Sequence, residues 1–444
     1  MFWNTGITRT NSNKLMLIIA VMLSAMLLPS FEIRSSLPRV RLDDALIFGA
    51  FALNLLLGLI HRTRPVDDFG FSFEEGQSRG LRAVNKVFLF FLASIIVSNV
   101  FALVFLKMPF GVRDAMEGVT LAKYYLAITL ALSLDLHEGE FEGLRNAFLV
   151  GLGIIMLLSW SQFLNLANVN AWLTPFFALS HLDNLVNANP PRVLGTFDNP
   201  NVMGIVSVLI MTLFVTWFYF QRNDRTKAAI FFVATGLTIK LTFMTISRTA
   251  LLATAVALTF LSLWGLFKFH WNKGILLKVG LLAMLTLAIF FTSPRDFTAR
   301  MNEGTDIKTS TSAQGHILRA GSAFVFIKQS PILGWGTAKD TMTTLVDDEY
   351  ALVTRRYGVI GLAFYLWLFL RPALAALRRG RLLNPYAFEY GIREAKTLLS
   401  IAFVAATLVI LVYNITAGAF YNLQLMTLVA LFMGLIYRTE GESD

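Results

Sequence analysis

Hydrophobic residues in this chain gather in long blocks separated by shorter polar stretches. Twelve blocks approach the ~18–20 residues that carry a helix across a bilayer core. They lie at about 15–31, 45–60, 87–106, 119–134, 146–169, 202–220, 228–246, 249–267, 275–292, 357–370, 397–417 and 419–437. The block at 87–106, VFLFFLASIIVSNVFALVFL, is typical. Backbone polar groups in hydrocarbon need internal partners, and an open strand edge provides none, so these blocks read as helices. The second and tenth are short, so their ends are poorly defined. The first has Arg9 and Lys14 in front but no A-x-A cleavage pattern behind, and reads as an uncleaved span. The pattern predicts an all-α polytopic membrane protein of about 12 transmembrane helices, with residues 1–444 as one integral membrane domain.

Two polar interruptions stand out. Residues 170–201 carry Trp172, His181 and the pair Pro190-Pro191, and residues 293–356, between the ninth and tenth blocks, form the only long polar stretch. Segments this long are usually functional or disordered. Within the second, Ser322–Ser330 reads as helical, Pro331, Gly334 and Gly336 read as turns, and Lys308–Gly315 as mobile.

Composition supports the membrane reading. The 444 residues are 56% hydrophobic and 15% charged, against about 25% charged in a soluble domain. That excludes a disordered chain, a coiled coil and an ordinary nucleic-acid binder, so no nucleic-acid partner is expected. There is no cysteine, hence no disulfide, thiolate metal site or cysteine nucleophile. His61, His137, His181, His270 and His316 are too scattered to suggest a metal cluster.

The net charge of +10 is mostly topology. With the N-terminus cytoplasmic, 21 of the 38 Lys and Arg residues fall on the inside and 7 in the short outside loops. The positive-inside rule then holds through all spans, with both termini inside. Lys123 and Lys240 lie within spans and Arg248 opens one. A charge there costs about 2.5–3.5 kcal/mol on an insertion scale, so these side chains either face the bundle interior or snorkel.

The outer segments concentrate the candidate chemistry. They hold Arg192, His316, Arg319, Arg355 and Arg356, and the run Asp347-Asp348-Glu349-Tyr350. Arginines neutralise a phosphate or diphosphate with forked donors, and a carboxylate can take a proton from an attacking hydroxyl. A solvated charged loop with weak local ion pairs fits the same composition.

Four motifs point further. They are Arg192-Val193-Leu194-Gly195-Thr196-Phe197-Asp198-Asn199-Pro200-Asn201 followed by Gly204; Ser247-Arg248-Thr249 opening a span; Pro331-Ile332-Leu333-Gly334-Trp335-Gly336; and Asp347-Asp348-Glu349-Tyr350 followed by Tyr357-Gly358-Val359-Ile360-Gly361. Gly195 and Gly204 permit a turn or a close approach. Asn199-Pro200 interrupts the chain before a span and Asn201 can cap that helix, whose N-terminus would favour an anion. In order and spacing, these motifs resemble the O-antigen ligase and Wzy-type polysaccharide polymerase superfamily. So does the layout of about twelve spans with one large late outer loop.

The resemblance implies an integral glycosyltransferase of GT-C type on the outer face of the bacterial cytoplasmic membrane. Its donor would be an undecaprenyl-diphosphate-linked oligosaccharide, with no metal or other cofactor. It implies that Arg192 and Arg248 contact the diphosphate. Members often carry an arginine fifteen residues before the P-x-x-G-x-G proline; that place here holds His316, with Arg319 one helical turn on, so either could serve. Ligases carry a histidine followed by asparagine at the late-loop motif as the proposed base; here Asp347-Asp348 stand there. With Asp347, Asp348 and Glu349 as the catalytic acids, the resemblance favours a polymerase extending a lipid-linked acceptor repeat unit. It leaves open a ligase acting on lipid A core. A lipid-linked oligosaccharide transporter is a third reading, although no relation between the two halves of the chain is visible. The expected partners are the lipid-linked donor and acceptor, the bilayer, a chain-length regulator and a flippase.

Overall fold

The computed structural model describes residues 9–28, 41–60, 75–135, 137–174, 192–197, 199–221, 224–293, 311–339, 341–342, 346–381 and 392–440. Their regular structure is all helical: α1 Arg9–Leu27, α2 Leu42–Ile60, α3 Glu75–Val104, α4 Val112–Leu132, α5 Glu138–Leu164, α6 Val169–Leu173, α7 Pro200–Phe220, α8 Arg225–Met244, α9 Arg248–Lys268, α10 Lys273–Phe291, α11 Thr311–Gln329, α12 Glu349–Arg381, α13 Ile392–Tyr413 and α14 Leu423–Glu440. Each of the twelve apolar blocks carries a helix. Eight helices are long and apolar enough to cross a membrane: α3, α5, α7, α8, α9, α10, α12 and α13. The apolar parts of α1 and α14 are shorter, and the first half of α4 is interrupted by Arg113, Asp114, Glu117 and Lys123.

Polar residues set the helix starts. Asn199 accepts from the Asn201 amide at 2.8 Å, with Pro200 at the first helical position of α7. The cap of α7 is therefore Asn199, two residues earlier than the sequence suggests, because Asn201 already lies in the helix. Asp224, Ser247 and Asn272 cap α8, α9 and α10 in the same way. Such caps satisfy amides that have no partner inside the helix.

The chain packs as two compact units. The first comprises residues 1–46, 135–301 and 376–412. Here α7 is an enclosed helix, packed on α8 and α9. Gly204 allows this: a Cβ there would lie 2.7 Å from Ala250 Cβ and 2.8 Å from Thr245 Oγ1. Thr235, Thr238, Thr242 and Thr245 are fully buried along α8, and each hydroxyl turns back to a carbonyl of its own helix. This small-residue packing suits helices that gain nothing by hiding from lipid. On α10, Leu277, Met284 and Phe291 stay exposed, as lipid-facing side chains would.

The second unit comprises residues 47–134, 302–375 and 413–444. Helix α14 packs on α3 and α4, around an aromatic core in which Phe91 meets Tyr357, Tyr365 and Phe420, and Tyr124 meets Phe420 edge-on. Lys123 is 2% exposed, so it faces the interior and does not snorkel. In the long polar stretch, α11 begins at Thr311, so the Thr311–Gly315 part of the segment that reads as mobile is helical while Lys308–Ser310 lie outside the described residues; α12 begins at Glu349, eight residues before its apolar block.

Candidate active site

In the first unit, the R-x-x-G-T-F motif forms a buried turn. Arg192, 9% exposed, donates through Nε to the Thr245 carbonyl at 3.0 Å and through Nη2 to Asn201 Oδ1 at 3.1 Å. The Thr245 carbonyl belongs to the C-terminal cap of α8, where a cation is favoured. Gln162 of α5 clamps the turn: its Oε1 accepts from the Leu194 and Gly195 amides at 3.1 and 2.8 Å, and its Nε2 donates to the Gly195 carbonyl at 2.8 Å. Gly195 has φ +62°, and a Cβ there would meet Met203 Sδ at 2.6 Å. Val193, Leu194 and Phe197 are fully buried, and the Thr196 hydroxyl donates to the Met26 carbonyl. Apart from Arg192, the motif residues are therefore scaffold. Asp198 lies outside the described residues.

Arg248 is half-buried at the first position of α9. Ile246 before it has φ +50°. A β-branched residue is a marked outlier in the left-handed region. Such strain persists where the surroundings over-determine it, often at functional sites. The tight α8–α9 connection links Thr245, which holds Arg192, to Ser247, which caps α9.

In the second unit, two glycine motifs fit each other. Trp335 and Gly336 amides donate to the Arg355 and Arg356 carbonyls at 2.9 and 2.8 Å, and the Val359 amide donates to the Pro331 carbonyl at 2.9 Å. Gly334 and Gly358 have φ +72° and +65°. A Cβ on Gly358 would lie 1.9 Å from the Ile332 carbonyl oxygen, and one on Gly334 would lie 2.4 Å from that of Arg356. Gly358 thus breaks α12, and P-x-x-G-x-G lies against the break. From α3, Ser98 Oγ bonds the Leu333 and Arg356 carbonyls, and Asn99 Oδ1 accepts from the Thr337 amide at 2.8 Å.

This frame presents the acidic run. Asp347 pairs with Arg319 of α11 at 2.5 Å, and both side chains are partly exposed. Two sequence-selected residues are thereby brought together. His316 lies one turn earlier on α11, and its side chain is outside the described residues. Asp348 Oδ1 accepts from the Ala351 amide at 3.1 Å at the start of α12; partial burial pushes its carboxyl above the usual range. Glu349 is fully buried, and neither carboxyl oxygen has a hydrogen-bond partner among the described residues. Its amide donates to the Asn414 carbonyl at 2.9 Å, and Gly418 leaves room for it, since a Cβ there would be 2.2 Å from Glu349 Oε2. Tyr350 is half-buried in the first turn of α12. Arg355 and Arg356 are 2% and 8% exposed, so they belong to the interior and not to a solvated loop.

The centre that sequence reasoning passes over is Glu117 of α4, 1% exposed. Arg356 Nη1 reaches both its oxygens at 3.3 Å, Lys339 Nζ lies 2.9 Å from Oε2, Tyr421 donates to Oε1 at 2.6 Å, and Tyr357 donates there too. Arg356 also stands 5.0 Å from the Tyr421 ring centroid. One signal was available: an acid near the head of an apolar helix, three residues after Asp114.

Comparison with known families places residues 233–359 in the family model Wzy_C, described as O-antigen ligase. The match takes in Arg248, Arg319, Lys339, the acidic run and Gly358, and leaves out Arg192, Gln162 and Glu117. No curated protein matches the chain.

Proposed function

We propose that this chain, a multi-pass membrane protein of the O-antigen ligase and Wzy superfamily, is a polysaccharide polymerase. In this reading it transfers glycan from an undecaprenyl-diphosphate donor to a hydroxyl of a lipid-linked acceptor repeat unit. The observation that carries the reading is the Arg319–Asp347 pair, with Asp347-Asp348 in the place where the resemblance gives ligases a histidine and asparagine. The acceptor hydroxyl oxygen attacks the anomeric carbon, the bond from that carbon to the diphosphate oxygen breaks, and Asp347 takes the hydroxyl proton. One displacement inverts the configuration, and no metal is required. An incoming diphosphate competes with Asp347 for the Arg319 guanidinium. Donor binding would therefore release the base at the moment when Arg319 is needed to stabilise charge on the leaving group. Arg192 and Arg248 keep the diphosphate-binding role that the resemblance implies, and Asp348 and Glu349 support the acid run.

Loop charges support the orientation: about twelve spans, both termini cytoplasmic, and the long segment before α12 on the outer face of the bacterial inner membrane. A flippase and a chain-length regulator are the expected protein partners. Asp347→Asn and Arg192→Ala should each abolish polymer ladders while the protein still reaches the membrane. Ladders of normal length from both variants would sink the assignment. The specific alternative is a ligase, since the matched family model is described as O-antigen ligase; it would transfer glycan only when lipid A core is supplied.

A further inference from the structure

The Glu117 cluster has a composition that stability alone does not explain. Buried ion pairs are often replaceable by apolar residues at no loss, yet removing one partner leaves a costly unpaired charge. Arg356 and two tyrosines already satisfy this carboxylate. Lys339 is an additional donor, and it differs from the others: its side chain keeps 27% exposure while Glu117 keeps 1%. It is held at both ends. Its amide donates to Asp114 Oδ1 at 2.8 Å, and its ammonium meets Glu117 Oε2 at 2.9 Å. Asp114 and Glu117 are three apart on α4 and so share one helix face. Tyr421 flanks the ammonium, with its ring centroid 6.0 Å away. A flexible lysine stem fixed in this way has already lost the rotamer freedom that binding would otherwise cost.

The geometry points to Glu117 as a positioning residue: it holds the Lys339 ammonium, while Asp114 fixes the Lys339 backbone amide, as a preorganised contact for an anionic group of the substrate. The chemical class is a lipid diphosphate, an assignment that rests on the glycosyl-transfer reading above. Glu117 itself stays buried and acts through Lys339.

The test uses full-length protein in nanodiscs, with Glu117→Gln, Glu117→Asp and Lys339→Met. The first readout needs no activity. Reductive methylation of Lys339, followed by peptide mass spectrometry, should run several-fold faster in Glu117→Gln than in wild type and at an intermediate rate in Glu117→Asp. The second is binding of undecaprenyl diphosphate. Its Kd should rise about tenfold or more in Glu117→Gln and Lys339→Met, the range of a lost charge-assisted hydrogen bond. In turnover, the Glu117→Gln loss should fall on the donor KM more than on kcat, and Glu117→Asp should restore part of it. Wild-type binding with no change of Kd in Lys339→Met overturns the inference and leaves the functional reading intact. Unchanged labelling in a folded Glu117→Gln overturns it equally. Failure of wild type to bind the lipid diphosphate overturns the functional reading and this ligand together. If Glu117→Gln does not fold, Lys339→Met decides alone.

Discussion

Gly358→Ala is the sharpest structural perturbation that the second unit offers. Gly358 has φ +65° and ψ −172°, a region open essentially to glycine; holding another residue there costs about 1–3 kcal/mol. The new methyl would stand 1.9 Å from the Ile332 carbonyl oxygen and 2.2 Å from its carbon. Both are backbone atoms, so no flexible side chain can swing away, and forced overpacking adds about 1–3 kcal/mol. Together these give about 2–6 kcal/mol, a large share of the ~5–15 kcal/mol that holds a typical fold. The strain falls on the contact between P-x-x-G-x-G and the start of α12, so the acidic run should be displaced too. The assay is thermal unfolding followed by tryptophan fluorescence, with every variant scanned at one rate. Gly153→Ala is the control: Gly153 lies inside α5, no heavy atom is within 4 Å of its Cβ position, and alanine in a helix gains about 0.5–1 kcal/mol. The midpoint should fall for Gly358→Ala and hold or rise for Gly153→Ala. Equal midpoints for Gly358→Ala and wild type would refute the packing argument.

Other predictions follow from the same geometry. Gln162→Met removes three hydrogen bonds to the Leu194–Gly195 turn. At roughly 1 kcal/mol each, plus the cost of stranding buried backbone groups, it should lower the unfolding midpoint and reduce activity through Arg192, measured as donor KM. Asp348 has its carboxyl raised by burial, so the folded state binds more protons than the unfolded chain, and its contribution falls as pH rises through the folded value. Asp348→Asn can still accept from the Ala351 amide. Its midpoint relative to wild type should therefore increase from acidic to neutral pH, and a gap independent of pH would contradict this. Arg319→Ala frees Asp347 but removes the leaving-group cation; turnover should drop by at least tenfold, scored as reducing-end release from lipid-linked donor.

Much of the fold is legible in the sequence because the bilayer leaves few choices. Blocks such as 87–106 can only be helices, whereas caps such as Asp224 and Ser247 become apparent only from the structure. The motifs fall in the two candidate regions, yet most of their residues build backbone geometry. Val193, Thr196, Phe197, Gly334 and Gly358 serve packing and backbone geometry, while charge comes from residues such as Arg192, Arg248 and Asp347, the last paired with Arg319. Three features escape a reading by apolar blocks. The first half of α11, residues 311–321, is polar enough to pass for loop, with Leu318 exposed. The first eight residues of α12 include Glu349, Arg355 and Arg356, which interrupt the apolar pattern, and they are helical with Asp348 accepting from the Ala351 amide as a cap. Glu117 acquires its meaning only when residues more than 200 positions away reach it, and no local pattern encodes such pairing.

The central claim is elongation by a single inverting transfer with Asp347 as base and Arg319 as the leaving-group cation. The most direct measurement is reconstitution of purified protein in liposomes with lipid-linked repeat units alone, with lipid A core absent, and the products resolved by length. Wild type should yield chains of two or more repeat units with release of undecaprenyl diphosphate, and Asp347→Asn none. No elongation without lipid A core, with transfer once core is added, would contradict it.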